Sequence, residues 1–179
     1  MPDTRSRSLT RELVRLLQRP IAALDRQRAA VHVLDWLGCA AAGATTAPGK
    51  AMIGYGRMMP DGPCRAVGGL TLSSRDAALV NGAVGNVLEM DDFYRTALVH
   101  PGPVVVPAAL AVAQEAGASG EAFLDAVIRG FEAMIRVGRS VGPMHYRHFH
   151  NTATCGVFGS AAAAGSLLGL TEDQFVDAL

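Results

Sequence analysis

Between Asn151 and Leu170 the chain carries no charged side chain, and eight of the ten positions from Gly156 to Gly165 are glycine, alanine or serine. A segment with so little bulk forms a stable helix only where other helices come close to its backbone. It is too poor in Leu, Ile and Phe to enter a bilayer well, and Asn151, Thr152 and Thr154 open it. Ala78, Gly82 and Ala83 repeat the pattern on an earlier segment. The expected fold class is therefore all-α, a multi-helix bundle with close small-residue packing.

The totals narrow the partners. Half of the 179 residues are hydrophobic, enough for a sizeable core. Sixteen basic and sixteen acidic residues cancel, and no basic stripe favours nucleic acid. Cys39, Cys64 and Cys155 lie far apart with no CxxC pair, which predicts buried, reduced thiols in a cytoplasmic protein. The first residues have no apolar run behind their charges, so they do not read as a signal peptide. Neither a nucleic-acid nor a membrane partner is expected.

Spacing and punctuation predict helices over 8–18, 26–44, 50–59, 73–88, 104–116 and 119–141. Residues 1–20 form an N-terminal extension or first helix. In the second helix Ala30, Val33, Leu34, Leu37, Cys39 and Ala41 are expected to face inward, with His32 as a structural histidine among them. Residues 64–72 are short and Gly-rich and read as two extended pieces about a turn at Val67–Leu70. Asn151 or Thr152 is expected to cap the small-residue helix. Thr171–Gln174 is a capping box, yet the chain stops at Leu179 after barely two turns. It reads as an interrupted protein: a fragment, a split or truncated gene, or one whose remainder another chain supplies.

Chemistry gathers in two places. Glu89, Asp91 and Asp92 fall within four residues, ahead of an aromatic and polar loop and His100. On a helix end Glu89 and Asp92 share a face while Asp91 points elsewhere. Carboxylates so close repel, so one that is desolvated should hold its proton more tightly, and beside His100 it makes a proton-transfer pair. The plainer reading is solvated loop acids and one helix-capping aspartate. The second cluster is His145, Arg147, His148 and His150, just before a helix start at Thr152. Its cations and the helix amides suit a carboxylate. A metal held by Asp91, Asp92 and the histidines is the sharper rival, weakened by the loop spacing.

Taken in order, Asn81-Gly82, Glu89 to Asp92, His100-Pro101, Pro107-Ala108-Ala109, Ser119-Gly120, Gly130-Phe131-Glu132 with Arg136, His150, and Gly156 through Thr171 resemble the MmgE/PrpD family of 2-methylcitrate dehydratase- and cis-aconitate decarboxylase-like proteins. The resemblance covers roughly residues 34–179. It implies a metal-independent lyase without a cofactor, with a large helical domain, a smaller α/β lid domain and a site between them. It also implies a homodimer packed through the helical domains. Residues 1–179 would be an incomplete helical domain lacking the lid.

Candidate catalytic residues are then His100, His150, Asp92 and Glu89, and candidate substrate-binding residues are Asp91, Tyr94, Arg147 and Thr152. Family members tend to carry Asp where Glu89 stands and Thr where Phe93 stands, and a loop one residue shorter before the histidine. The family's lysines and tyrosine belong to sequence beyond Leu179. Three readings follow. One is the N-terminal part of a lyase for a small di- or tricarboxylate, inactive without a C-terminal complement. Another is a non-catalytic helical protein for dimerisation or partner binding. The last is a small metal enzyme using Asp91, Asp92 and the histidines.

Overall fold

The structure is a computed structural model that describes residues 8–179. Among these, eight helices and one two-stranded ribbon follow in order. They are α1 (Leu9–Leu17), α2 (Ala23–Gly43), α3 (Ala47–Gly56), β1 (Cys64–Ala66), β2 (Leu70–Leu72), α4 (Ser74–Asn86), α5 (Gly102–Ala116), α6 (Gly120–Tyr146), α7 (Asn151–Leu167) and α8 (Glu172–Ala178). The fold is all-α apart from the antiparallel ribbon, which pairs Cys64 with Leu72 and Ala66 with Leu70.

The caps lie where their side chains allow. Ser8, Thr46, Ser73, Ser119 and Thr171 each accept a hydrogen bond from the third residue after them, satisfying a helix-start N–H. Thr171 and Gln174 complete the reciprocal box. Gly117 closes α5 in the left-handed conformation, at φ 62°.

The small-residue segment packs as its composition demands. α7 lies along α6 and across α5. A Cβ on Gly130 would stand 2.8 Å from the Gly159 carbonyl oxygen, and one on Gly159 would stand 3.0 Å from that of Gly130. The two backbones touch, and no larger residue fits at either crossing. Trp36, Val99, Val105, Val106, Met134 and Cys155 fill the central core. A second cluster joins the ribbon to α3 and α4 through Ile53, Cys64, Leu72, Val80 and Val84. A third, with Val14, Leu17, Ala133, Ala162 and Phe175, seats α1 and α8. Asn81 ties the ribbon to α4: its Oδ1 accepts from the Val67 N–H at 2.8 Å and its Nδ2 donates to the Arg65 carbonyl at 3.1 Å. All three cysteines are buried and free. No helix among the described residues is long and apolar enough to cross a membrane.

Several local expectations change. α2 buries Ala29, Trp36, Cys39, Ala40 and Gly43, whereas Val31, Leu34 and Leu37 face outward. Its second half is apolar nearly all round, so periodicity could not choose the inner face. Gly142, at φ 66° and ψ −176°, leaves the helical region where a stop was expected, and α6 resumes beyond it as a second short helical piece to Tyr146. α5 begins at Gly102, which puts Pro107 inside the helix. Neither Asn151 nor Thr152 caps α7; His150 holds that position without a side-chain bond.

Candidate active site

The acidic loop leaves α4 at Asn86, earlier than expected, so Glu89 and Asp92 do not share a helical face. Glu89 is exposed and adopts φ 49°. Leu98 adopts φ 54°, and these are the two positive-φ non-glycine residues among those described. Such backbone is sparsely populated and is held only where its surroundings fix it. Here Tyr94 N–H donates to the Val99 carbonyl at 2.9 Å in an isolated antiparallel bridge, closing the loop on itself.

The buried acid is Asp91, the one expected to point away. Its side chain is 1% exposed. Asn86 Nδ2 donates to its two oxygens at 3.1 and 3.3 Å. His100 Nδ1 lies 2.9 Å from Asp91 Oδ2, although that contact is not aligned as a hydrogen bond and Nδ1 has no other partner.

Asp92 faces the other way. Its Oδ1 accepts from the Gly102 N–H at 2.7 Å, and its Oδ2 lies 3.4 Å from His32 Nδ1. α5 has no capping side chain of its own. Pro103 has no N–H, and Val104 and Val105 donate to the Pro101 carbonyl, so Asp92 satisfies the remaining first-turn donor. A Cβ on residue 102 would come within 2.6 Å of Asp92 Oδ1, so only glycine leaves room for this contact. Burial is the main influence on Asp92 and pushes its carboxyl above the ordinary range; the Gly102 N–H and His32 pull it back down, and Asp91 and Asp35 add to the rise.

The loop is also pinned to α7. His100 N–H donates to Thr152 Oγ1 at 3.1 Å, and the buried Asn151 donates its amide to the Ala97 carbonyl at 2.9 Å. The two sequence clusters therefore meet through the first turn of α7, with His150 immediately before it. The basic cluster is open: Arg147, His148 and His150 are exposed. His145 is taken up by Thr154, with Nε2 to Oγ1 at 2.8 Å, and stacks on Phe149 at 4.9 Å between ring centroids. Phe93 lies over His100 at 4.8 Å, and Tyr94 is partly exposed beside it in the chain.

Two cavities border the loop through His32 and Met90. One, of about 410 Å³, is lined by Leu17, Pro20, Ala29, His32, Phe131 and Ile135 among others. The other, of about 430 Å³, is lined by Val31, Leu34, Asp35, Gly38, Cys39, Ala42 and Met90. Neither of these two is lined by His100, His150 or Asp91. Among the described residues no three His, Cys, Asp or Glu side chains converge as metal ligands.

Sequence reasoning missed three contributors: Asn86, Gly102 and the His32 contact to Asp92. His32 is half exposed and tilts against Phe131 at 5.3 Å, so it is not enclosed among apolar neighbours. The Pro101-Gly102-Pro103 run was the available signal for a tightly capped helix start.

Residues 15–179 match the model of the MmgE/PrpD N-terminal domain, and the chain belongs to the MmgE/PrpD family. It is 32% identical over 162 residues to the cis-aconitate decarboxylase of Aspergillus terreus, covering 86% of this chain and 33% of that protein. It is 31% identical to a cis-aconitate decarboxylase-like protein of Aspergillus oryzae, covering 83% and 33%, and 30% identical to the human cis-aconitate decarboxylase, covering 86% and 34%. The chain thus spans about a third of the length of the curated relatives it matches.

Proposed function

We propose that this chain is the N-terminal helical part of a lyase acting on a small di- or tricarboxylate, by decarboxylation or dehydration. The observation that carries this reading is the bond from His100 N–H to Thr152 Oγ1, which fixes a partly exposed imidazole beside the start of α7 and its neighbouring cations. Losing CO2 leaves an electron pair on carbon that an acid must protonate, and dehydration needs a base beside a carboxylate. One histidine serves either role. His150, Arg147 and the α7 amides offer positive charge to the substrate's carboxylates. Exposed Glu89 and Tyr94 line the approach. Phe93, where relatives tend to carry threonine, removes a hydroxyl and adds a ring against His100, which favours a different substrate shape.

In this reading turnover needs groups from a C-terminal complement and its lid, in a cytoplasmic homodimer. The test is a thermal-shift series with citrate on this chain and on His150→Ala. The wild type should be stabilised by citrate and the variant much less; equal responses would overturn the anion site. A second reading, a helical protein for dimerisation or partner binding, is favoured by the outward apolar face of α2 at Val31, Leu34 and Leu37. A monomer by sedimentation, unresponsive to Leu34→Asp, would remove its support.

A further inference from the structure

We infer that Asp91 is a positioning residue: it orients His100 and fixes where that imidazole carries its proton, and it does not touch substrate. The inference deepens the proposed lyase site and rests on it. Three observations lead there. The Asp91 side chain is 1% exposed, so a bound molecule cannot reach it without dismantling the loop. Asn86 supplies a donor to it through one amide nitrogen, which leaves a buried carboxylate short of hydrogen bonds. His100 Nδ1 is itself buried with no other partner, 2.9 Å from Oδ2.

Each group supplies what the other lacks. A small rotation of the ring aligns an Nδ1–H with the carboxylate, and a buried donor and acceptor this close are rarely left unpaired. The side chain of His100 keeps 24% exposure while Nδ1 is enclosed, so its accessible part is the far side of the ring, where Nε2 lies. A neutral imidazole that places its proton on Nδ1 has its lone pair on Nε2. That outward nitrogen can take a proton from carbon or, once protonated, return one.

The adjacent carboxylate cannot substitute. Asp92 is committed to the Gly102 amide and to His32. The two aspartates divide the work: one holds a helix end and the other holds the imidazole.

Long-range proton–nitrogen correlation spectra of histidine-labelled protein read the tautomer directly, without any turnover. In the wild type the neutral form of His100 should be the Nδ1–H tautomer. In Asp91→Asn the ratio of tautomers should fall by about tenfold, the effect of losing one charge-assisted bond. An Nε2–H tautomer in the wild type would overturn the inference, whether or not any variant folds. So would an unchanged ratio in a folded Asp91→Asn. Citrate binding, followed by thermal shift on the same samples, keeps the two ideas apart. A wrong tautomer with citrate still bound sinks the positioning role alone, and the expected tautomer without citrate binding sinks the substrate reading.

Discussion

The loop between α4 and α5 and the seam between α1 and α8 both depend on carboxylates, and they treat them oppositely. In the loop, Asp92 is mostly buried, without a firmly paired cation, and burial pushes its carboxyl up. At the seam, Arg11 donates to Glu172 and to Asp173, each at 2.7 Å, and Arg15 reaches Glu172 at 3.1 Å. There the Arg11 hydrogen bond holds the Glu172 carboxyl below its usual range. The same functional group is therefore pushed toward its neutral form in one place and toward its charged form in the other. The loop also carries the unfavourable backbone of Glu89 and Leu98, while the seam is a regular helix pair with a capping box. Strain and unpaired burial gather where the chemistry is proposed, and paired charges gather where α1 meets α8.

The largest effect should come from crowding the loop. Gly102→Ala drives a Cβ against Asp92 Oδ1 and displaces the α5 cap. Cap loss and overpacking together should cost about 2–3 kcal/mol. Urea unfolding would show a lower midpoint with an unchanged slope. Gly120→Ala is the matched control, because a Cβ there meets nothing within 4 Å, and it should be neutral or slightly stabilising. Equal losses at both glycines would mean that the Asp92 contact does not support α5.

A smaller effect should appear as a pH slope. The Asp92 carboxyl keeps its proton to higher pH in the folded chain than in the unfolded one. Its contribution is then complete below its ordinary value of 3.8 and is lost as pH rises through the raised folded value. Asp92→Asn keeps an oxygen for the Gly102 N–H and abolishes the titration. Urea midpoints measured upward from pH 4 should therefore decline less steeply in the variant. An identical decline in both proteins would assign the slope to other groups.

These contrasts also mark what could be read from the chain alone. The helix start near Ser73, the stop after Ala116 and the Thr171 box were legible because helix ends are set between near neighbours. The ribbon and the close packing of the segment around Gly159 followed from turn residues and residue size. The inner face of α2 was not legible, since Val31, Leu34 and Leu37 are as apolar as the residues actually buried. Asn151 and Thr152 looked like caps, but their partners, Ala97 and His100, lie some fifty residues away in sequence. The helical reading that set Asp92 beside Glu89 and turned Asp91 away failed because α4 ends at Asn86, and the turn that follows decides which carboxylate goes inside. The candidate site residues were named as types through the family resemblance, and their placement relative to one another needed coordinates.

The smallest expected effect belongs to the seam and has the opposite sign. Glu172 is held charged, so its contribution is present above its ordinary value of 4.5 and is lost as pH falls through the lowered folded value. Glu172→Gln should remove that acid-side loss and weaken the seam slightly at neutral pH, by less than Gly102→Ala weakens the loop. Glu172 is partly exposed and Arg15 largely so, although Arg11 is only 14% exposed, so added salt should erase part of the difference between wild type and variant. The same salt should leave the Asp92→Asn contrast nearly intact, because screening reaches a buried carboxylate poorly. Thermal melts of both variants at low and high salt make the comparison directly. If salt abolished the loop contrast and spared the seam, burial would not be what separates the two regions.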